Sequence, residues 1–405
     1  MKNIDQDIQD YFETIKTFRR HVHANPEVGP ENPKTVQYVK SQFENLKDIT
    51  IVHGAENAGV MIEITCSEQG PTIGFRGDMD ALNLCESSCE THLPQKENFR
   101  SHDENKMHAC GHDMHTAILI GFGHIIHAKR HNLKGKVRLL FQPGEEGYGG
   151  AKKMVDASYL QGVQNVFALH VWPNLEVGQI GFRRGPFFAS VDHFLVKVNG
   201  TGGHGASPEK ASDQILAVSS MISNLQSILA RKISGLDQRV LSIGYINAGN
   251  KTAKGVLPKT AEFGGTFRTF DENVQAKIKE ELKNICEHTA MAIHDDCKVE
   301  IEYTNSYPQT VNDETMAERL ETVFSTFIED ENLFTDYTPT LGAEDFSFML
   351  KEVPGVLFLV GTTPSDMPEE KRVFLHNPTY SPDERALLYG VQAFKKIAFD
   401  FLEKK

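Results

Sequence analysis

The stretch KVRLLFQPGEEGYGGAKKMVDASYLQGVQNVFALHV (136–171) decides the fold class. Its two ends, KVRLLFQ (136–142) and NVFALHV (165–171), are short apolar runs bounded by Gly, Pro and Asn, the pattern of strands buried on both faces. A helical segment, 150–156, lies between them. Working outward, GVMIEIT (59–65), PTIGFRG (71–77) and GVLFLVG (355–361) are further buried strands, and 112–129 is a second intervening helix. Strands alternating with helices predict an α/β domain: an α/β/α arrangement around a mixed central sheet. Apolar residues at helical spacing (Ile8, Tyr11, Phe12, Ile15, Phe18, Val22) predict a helix over roughly 4–23, stopped by Asn25-Pro26. Helices over 33–46 and 382–402 complete the reading.

After Gly185-Pro186 the texture changes. SVDHFLVKVNG (190–200) alternates like a strand with one wet face, and QRVLSIGYIN (238–247), TAEFGGTFRTF (260–270) and KVEIEYT (298–304) are further strands. Helices are expected over 211–231 and 273–293. Strand, helix, strand, strand, helix, strand predicts an inserted α+β domain of the ferredoxin-like, split βαβ kind. The expected division is 1–185 and 301–405 for the larger domain, and 186–300 for the insert.

The 405 residues carry 42 basic and 55 acidic groups, a net charge of −13, which argues against nucleic acid or an anionic membrane surface as partner. With 40% hydrophobic and 24% charged residues the balance is that of a globular protein. No run approaches a membrane span and the first residues lack a signal-peptide core, so a soluble, cytoplasmic protein is expected. Six scattered cysteines are too few for a disulfide framework and read mostly as reduced core residues. The 17 histidines are uneven: His108, His112, His115, His124, His127 and His131 fall in one short interval.

MHACGHDMH (107–115) is the densest chemical cluster. Cys110 and His112 can reach one ion if the backbone between them is not yet regular helix, which Gly111 permits. In FQPGEEGYGG (141–150) the pair Glu145-Glu146 follows a buried strand and is ringed by glycines, which suits close backbone approach. One carboxylate there can hold an ion while its neighbour acts as general base on water. RGDMDAL (76–82) ends a strand with Asp78 and Asp80, read either as a turn or as carboxylates that orient a ligand histidine. His170 ends another strand, and His376 sits in FLHNP (374–378). The coincidence of these groups at equivalent ends of one sheet makes a site; each alone has an ordinary structural reading.

The motifs RGDMDAL, HACGHDMHTA, FQPGEEGYGGA, ALHV, GTGGHGASP, GTFR, GAEDFSF and FLHNPTY, in this order, closely resemble the metal-dependent amidohydrolases of the aminoacylase and carboxypeptidase superfamily. The branch they are most similar to contains hippurate hydrolases, N-acetyl-diaminopimelate deacetylases and the plant hydrolases of auxin–amino acid conjugates. The likeness runs from RRHVHANPEVG (19–29) to the last helix. It implies two divalent ions (Mn, Zn, Co or Ni) held by Cys110, His112, Glu146, His170 and His376, with Glu145 as general base and Asp80 as supporting aspartate. It also implies that His204 stabilises an oxyanion in the partner subunit's site of a homodimer or larger homo-oligomer, and that Arg268 binds the substrate carboxylate. The activity implied is hydrolysis of N-acyl amino acids or similar small conjugates.

The sequence departs from the family pattern in two places. Gly255, in KGVLP (254–258), replaces an asparagine, so a polar contact is lost or comes from Asn250. The stretch 85–106, with Cys85, Cys89, His92 and His102, is longer and more polar than usual and reads as a variable surface loop. Two rival readings are a hydrolase with Cys110 as nucleophile, and a catalytically silent metal-binding dimer. His124, His127 and His131 read as helix-surface residues.

Overall fold

The computed structural model describes residues 4–54 and 58–404. The chain forms two compact units, one built from the chain up to Phe187, Thr310–Thr338 and the stretch from Asp345 onward, the other from Phe188–Gln309 and Pro339–Glu344. Among the described residues, the first unit holds an eight-stranded sheet. Its strands are β1 (Ile49–His53), β2 (Val60–Thr65), β3 (Glu68–Asp78), β4 (Lys134–Gln142), β5 (Val163–Glu176), β6 (Ile180–Gly181), β7 (Leu333–Phe334) and β8 (Gly355–Thr363), in the order β1-β2-β4-β3-β5-β8-β6-β7. The four central strands, β4, β3, β5 and β8, run parallel. β1 and β2 join antiparallel at one side and β6 runs antiparallel to β8 at the other, so the sheet is mixed.

Parallel strands need helical crossovers, and those helices cover the sheet. Helix His112–Lys129 is buried along most of its length, because it packs between β3 and the helices Phe12–Ala24 and Ala386–Leu402. A helix enclosed in this way is apolar all round instead of striped. Phe75, Phe122, Phe167, Phe358 and Phe394 meet in the same core, in tilted and edge-to-face pairs.

Several boundaries differ from expectation for local reasons. The first helix divides into Gln6–Asp10 and Phe12–Ala24, because the Tyr11 amide bonds three residues back to Ile8. The last helix starts at Ala386, after a turn in which Asp383 accepts from the Arg385 amide. His124 is not a surface residue: its ring packs within 6 Å of Tyr11, Phe18 and Phe43.

The second unit has a four-stranded antiparallel sheet, Arg239–Ala248, Thr260–Thr269, Ser190–Asn199 and Lys298–Tyr307 in that spatial order, with helices Gln214–Ser227 and Glu272–Ile293 packed together. Asp213 and Asp271 cap those helices by accepting from backbone amides. The helix expected over 211–231 begins at its cap and ends as a π-helical turn, Ile228–Lys232. The expected boundary at 300 falls inside strand Lys298–Tyr307, whose register with Ser190–Asn199 carries the unit on to Gln309.

The stretch 85–106 is not a loose surface loop. Glu86 is buried, and its carboxylate accepts from His92 Nε2 (3.0 Å), His23 Nε2 (2.8 Å) and the Ser101 amide (2.7 Å). The other nitrogen of His23 lies 2.9 Å from Asp113, which also takes Arg19 Nε at 3.0 Å. Burial opposes charge on both partners, but the two carboxylates outweigh it and raise the His23 pKa, and the two histidines hold Glu86 down at about 2. Glu86→Gln, which keeps the volume and removes the charge, is expected to cost about 3 kcal/mol at pH 7, read from urea midpoints. A depressed folded pKa stabilises in full above the unfolded value of about 4.3, so the penalty should shrink as pH falls from there towards 2.

Candidate active site

The expected residues of the first unit meet at the ends of β3, β4 and β5 and on the loop after β8, the crevice where open α/β sheets bind ligands. Gly111 starts helix His112–Lys129 with φ +85, and a Cβ there would lie 2.3 Å from Val171 Cγ2. Only glycine lets Cys110 and His112 turn towards β5 at that distance. After β4, Gly150 runs so close to the Pro143 carbonyl (1.6 Å from a notional Cβ) that the Glu145-Glu146 turn closes tightly. His376 adopts φ +61, a conformation that costs a non-glycine residue about 1–3 kcal/mol and persists where surroundings enforce it. Its amide donates to the Ala109 carbonyl at 2.8 Å, which ties its loop to the cysteine loop.

Cys110 is the meeting point. Its sulfur lies 3.6 Å from His170 Nε2 and 3.3 Å from His376 Nε2, and His376 Nε2 lies 3.1 Å from Glu146 Oε1. Two groups of ligand atoms, Cys110–His112–His170 and Cys110–Glu146–His376, each fall within 4.8 Å and share that sulfur. Asp80 sits behind them, its two carboxylate oxygens accepting from the amides of Glu145 (2.9 Å) and Glu146 (3.0 Å). Its carbonyl oxygen lies 2.9 Å from His112 Nδ1. That carbonyl can only accept, so Nδ1 always carries a proton, and Nε2, buried with no hydrogen-bond partner, is the nitrogen whose lone pair becomes available when a cation displaces its proton. His170 repeats the logic: Nδ1 donates to the Val171 carbonyl at 2.8 Å, and Nε2 faces the sulfur. Glu145 Oε1 accepts from the Asp345 amide at 3.3 Å.

This donor set fits divalent cations. Two imidazoles whose Nδ1 atoms are tied to carbonyls, a thiol and carboxylates converge at a site that is buried around Cys110, His112 and His170 and opens at His376, with an excess of acid. Burial pushes the Cys110 thiol far above its usual range, and Glu146, Glu145 and Asp78 push it further. A thiol so disfavoured as thiolate is a poor nucleophile, which removes the physical basis of the cysteine-hydrolase reading. A cation beside it would invert the preference. Burial opposes charge on His112, yet Asp78, Asp80 and Glu146 outweigh it and push its pKa to about 10, a second sign that the cluster attracts positive charge. Burial, with the neighbouring His115, holds His170 well below its usual value and keeps it neutral.

Three buried groups near the site had no role in the sequence reading. His115, in the quoted CGHDMH motif, lies 2.5 Å from Asp78 through Nδ1. Arg76 pairs with Asp78 (2.8 Å) and with Asp345 (3.1 Å). Asp345, from GAEDFSF, also accepts from Gln142 and the Ala151 amide. Helical spacing was the available signal for His115, three residues after His112 on the same face.

His204 and Arg268 belong to the second unit. His204 is exposed, in a two-residue strand paired with Val256-Leu257, and its Nδ1 accepts from the Ala206 amide at 3.0 Å. Arg268 is partly buried and donates to the Leu341 carbonyl at 2.9 Å. Asn250 turns inward on its own loop, its side-chain oxygen accepting from the amide and hydroxyl of Thr252. Cys85 and Cys89 are exposed, and the other four cysteines are buried. No helix among the described residues is long and apolar enough to cross a membrane.

Residues 74–400 match the peptidase family M20/M25/M40. An N-acetylcysteine deacetylase of Bacillus subtilis is 34% identical over 95% of this chain and 96% of its own. An IAA-amino acid hydrolase of Arabidopsis thaliana (ILR1-like 4) is 32% identical over 97% of this chain and 87% of its own. Among solved structures, the Bacillus subtilis YXEP protein, a dinuclear metal binding peptidase from the M20 family, superposes with a TM-score of 0.79 at 30% identity, over 96% of this chain and 98% of that one.

Asp80 is the group on which this geometry turns. Asp80→Asn would set an amide N–H against a backbone N–H, and a 10–100-fold loss of Zn affinity with unchanged circular dichroism is the expected result of a competition titration.

Proposed function

The chain belongs to the peptidase family M20/M25/M40 and is a metal-dependent amidohydrolase; from that premise we propose that it hydrolyses the amide bond of N-acyl amino acids or similar small conjugates with two divalent ions per subunit. The observation that carries this reading is the pair of ligand groups sharing Cys110, beside a glutamate that belongs to neither. In this reading Cys110, His112 and His170 hold one ion, and Cys110, Glu146 and His376 the other. Bound there, divalent cations supply Lewis acidity towards water and towards the scissile carbonyl. The ligand types suit Zn and also accept Mn, Co or Ni.

Glu145 is the general base. Its backbone is pinned by Asp80, and one carboxylate oxygen accepts from the Asp345 amide, so its second oxygen is oriented by the same contacts. It takes a proton from the attacking water and delivers it to the departing amine nitrogen, so a carboxylic acid and an amino acid leave with no net proton gained or lost. A small substrate is favoured over a long peptide, with the inserted unit serving as a dimerisation or lid domain. Relatives named as an N-acetylcysteine deacetylase and as an IAA-amino acid hydrolase support the amide of an amino acid as substrate.

A homodimer completes the reading. Strand Arg239–Ala248 is an edge of the second unit's sheet, and it exposes Tyr245 (46%) and Ile246 (54%). An unpaired apolar edge is a template for pairing with a second chain. Through that dimer, His204 of one chain donates to the oxyanion in the partner's site. Arg268 is the proposed partner of the substrate carboxylate.

Metal-reconstituted protein screened with N-acetyl, N-benzoyl and N-succinyl amino acids should release free amine, and chelation should abolish release until metal is restored. Full activity of the chelated, metal-free protein would end the reading. Glu145→Gln is expected to lower turnover about 10²–10⁴-fold with metal content unchanged. Chains carrying His204→Ala and Glu145→Gln, each inactive alone, should regain activity when co-expressed, because one site of the mixed dimer is then intact. No recovery in a mixed dimer isolated through two different affinity tags would rule out His204 acting across subunits.

A further inference from the structure

His115 carries no role in the reaction as described, yet it is 1% exposed and hydrogen-bonded on both ring nitrogens at the centre of the site. The ladder between β3 and β5 ends at Arg76↔Ala168. Beyond that point β5 continues without β3, and the backbone groups of Val171 are satisfied by side chains. The Val171 amide donates to His115 Nε2 at 2.9 Å, and the Val171 carbonyl accepts from His170 Nδ1 at 2.8 Å.

These two bonds fix each other. An amide only donates, so His115 Nε2 must be the acceptor and its proton must sit on Nδ1. That Nδ1–H points at Asp78 Oδ1, 2.5 Å away, and Asp78 is held by Arg76 at 2.8 Å. The chain of constraint therefore runs Arg76, Asp78, His115, Val171, His170. It ends by turning His170 Nε2 towards Cys110.

We infer that His115 is a positioning residue that sets His170 as a metal ligand through the Val171 backbone, with Asp78 fixing the tautomer of His115. The inference rests on the metal reading proposed above. It assigns Asp78 and His115 to the support of the centre, although with His112 they form a compact group of ligand-type atoms. The reason is that each His115 nitrogen is already committed, one as donor and one as acceptor.

Two near-isosteres separate the bonds. His115→Asn keeps a donor near Asp78 and withdraws the acceptor from Val171; His115→Gln extends an acceptor towards Val171. Each variant is compared with wild type for Co(II) bound per chain after gel filtration, for Co(II) affinity by competition with a chelator, and for the thiolate-to-cobalt absorption of Cys110. Wild type should bind two ions. His115→Asn should lose about 10–100-fold in affinity at one of them and show a changed absorption band, while His115→Gln stays within a few-fold of wild type. Equal affinities and spectra in all three proteins would overturn the inference. Equal losses in both variants would also overturn it, since a merely structural role does not distinguish the two bonds. Wild-type protein that binds no cobalt would instead remove the metal reading itself. Should His115→Asn fail to fold, Asp78→Asn supplies the same test one step back: it leaves the Val171 acceptor in place but removes the charge that fixes it, and unchanged cobalt affinity there would overturn the tautomer argument.

Discussion

The site depends on one carboxylate. Asp80 stands just past the end of β3 and spends both oxygens on the backbone amides of Glu145 and Glu146, while its own carbonyl receives His112 Nδ1–H. Three segments remote in sequence are thereby held in one register: the end of β3, the turn after β4, and the first residue of helix His112–Lys129. Two amides donating to one carboxylate are charge-assisted bonds, stronger than neutral ones, and the carboxylate they share is buried. Adjacent side chains then diverge because their shared backbone is clamped, which is how Glu145 and Glu146 can take different work.

Around that clamp the governing constraint is electrostatic. Asp78, Asp80, Glu145, Glu146 and Cys110 crowd a space with little water, and buried carboxylates persist only when paired. Arg76 answers part of the charge by bridging Asp78 and Asp345. The rest appears as the raised pKa of the Cys110 thiol and of the His112 imidazole, both showing that added positive charge is favourable there. A divalent ion supplies it most compactly. The chain's net charge of −13 has little bearing on this balance, because exposed charges are screened within about 10 Å while the buried ones are not.

Much of this was legible in the sequence, and what was missed follows a rule. Apolar runs with abrupt Gly and Pro boundaries gave the central strands, since a strand buried on both faces has no alternation to confuse. Cys110, His112 and the glutamate pair announced themselves because ligand-type residues next to glycine are uncommon. Short strands such as Ile49–His53, with its half-exposed pattern, and Thr310–Asn312 gave no comparable signal. Asp345 and Arg76 escaped notice because they meet only through the fold, 269 positions apart in the chain. The 85–106 segment misled for the opposite reason. Its composition is that of a solvated loop, but Glu86 turns inward to meet His23 and His92, with His92 and Ser101 buried beside it, and polarity along the chain does not reveal which polar groups are buried.

That inward turn connects the segment to the chemistry. Glu86 holds His23, His23 holds Asp113, and Asp113 follows His112 directly in the chain, with Arg19 on its other side. A buried carboxylate in the first turn of a helix is stabilised by the amides around it, but left alone it would still carry a large desolvation cost. The paired arrangement offsets that cost and ties the helix start to Arg19 and His23. His112 is therefore oriented from two directions, through its ring by the Asp80 carbonyl and through its backbone by the network that fixes Asp113. Where His112 holds an ion, as proposed, such supports are what keep ligand geometry to fractions of an ångström, and one of them is built from the segment whose composition looks least structural.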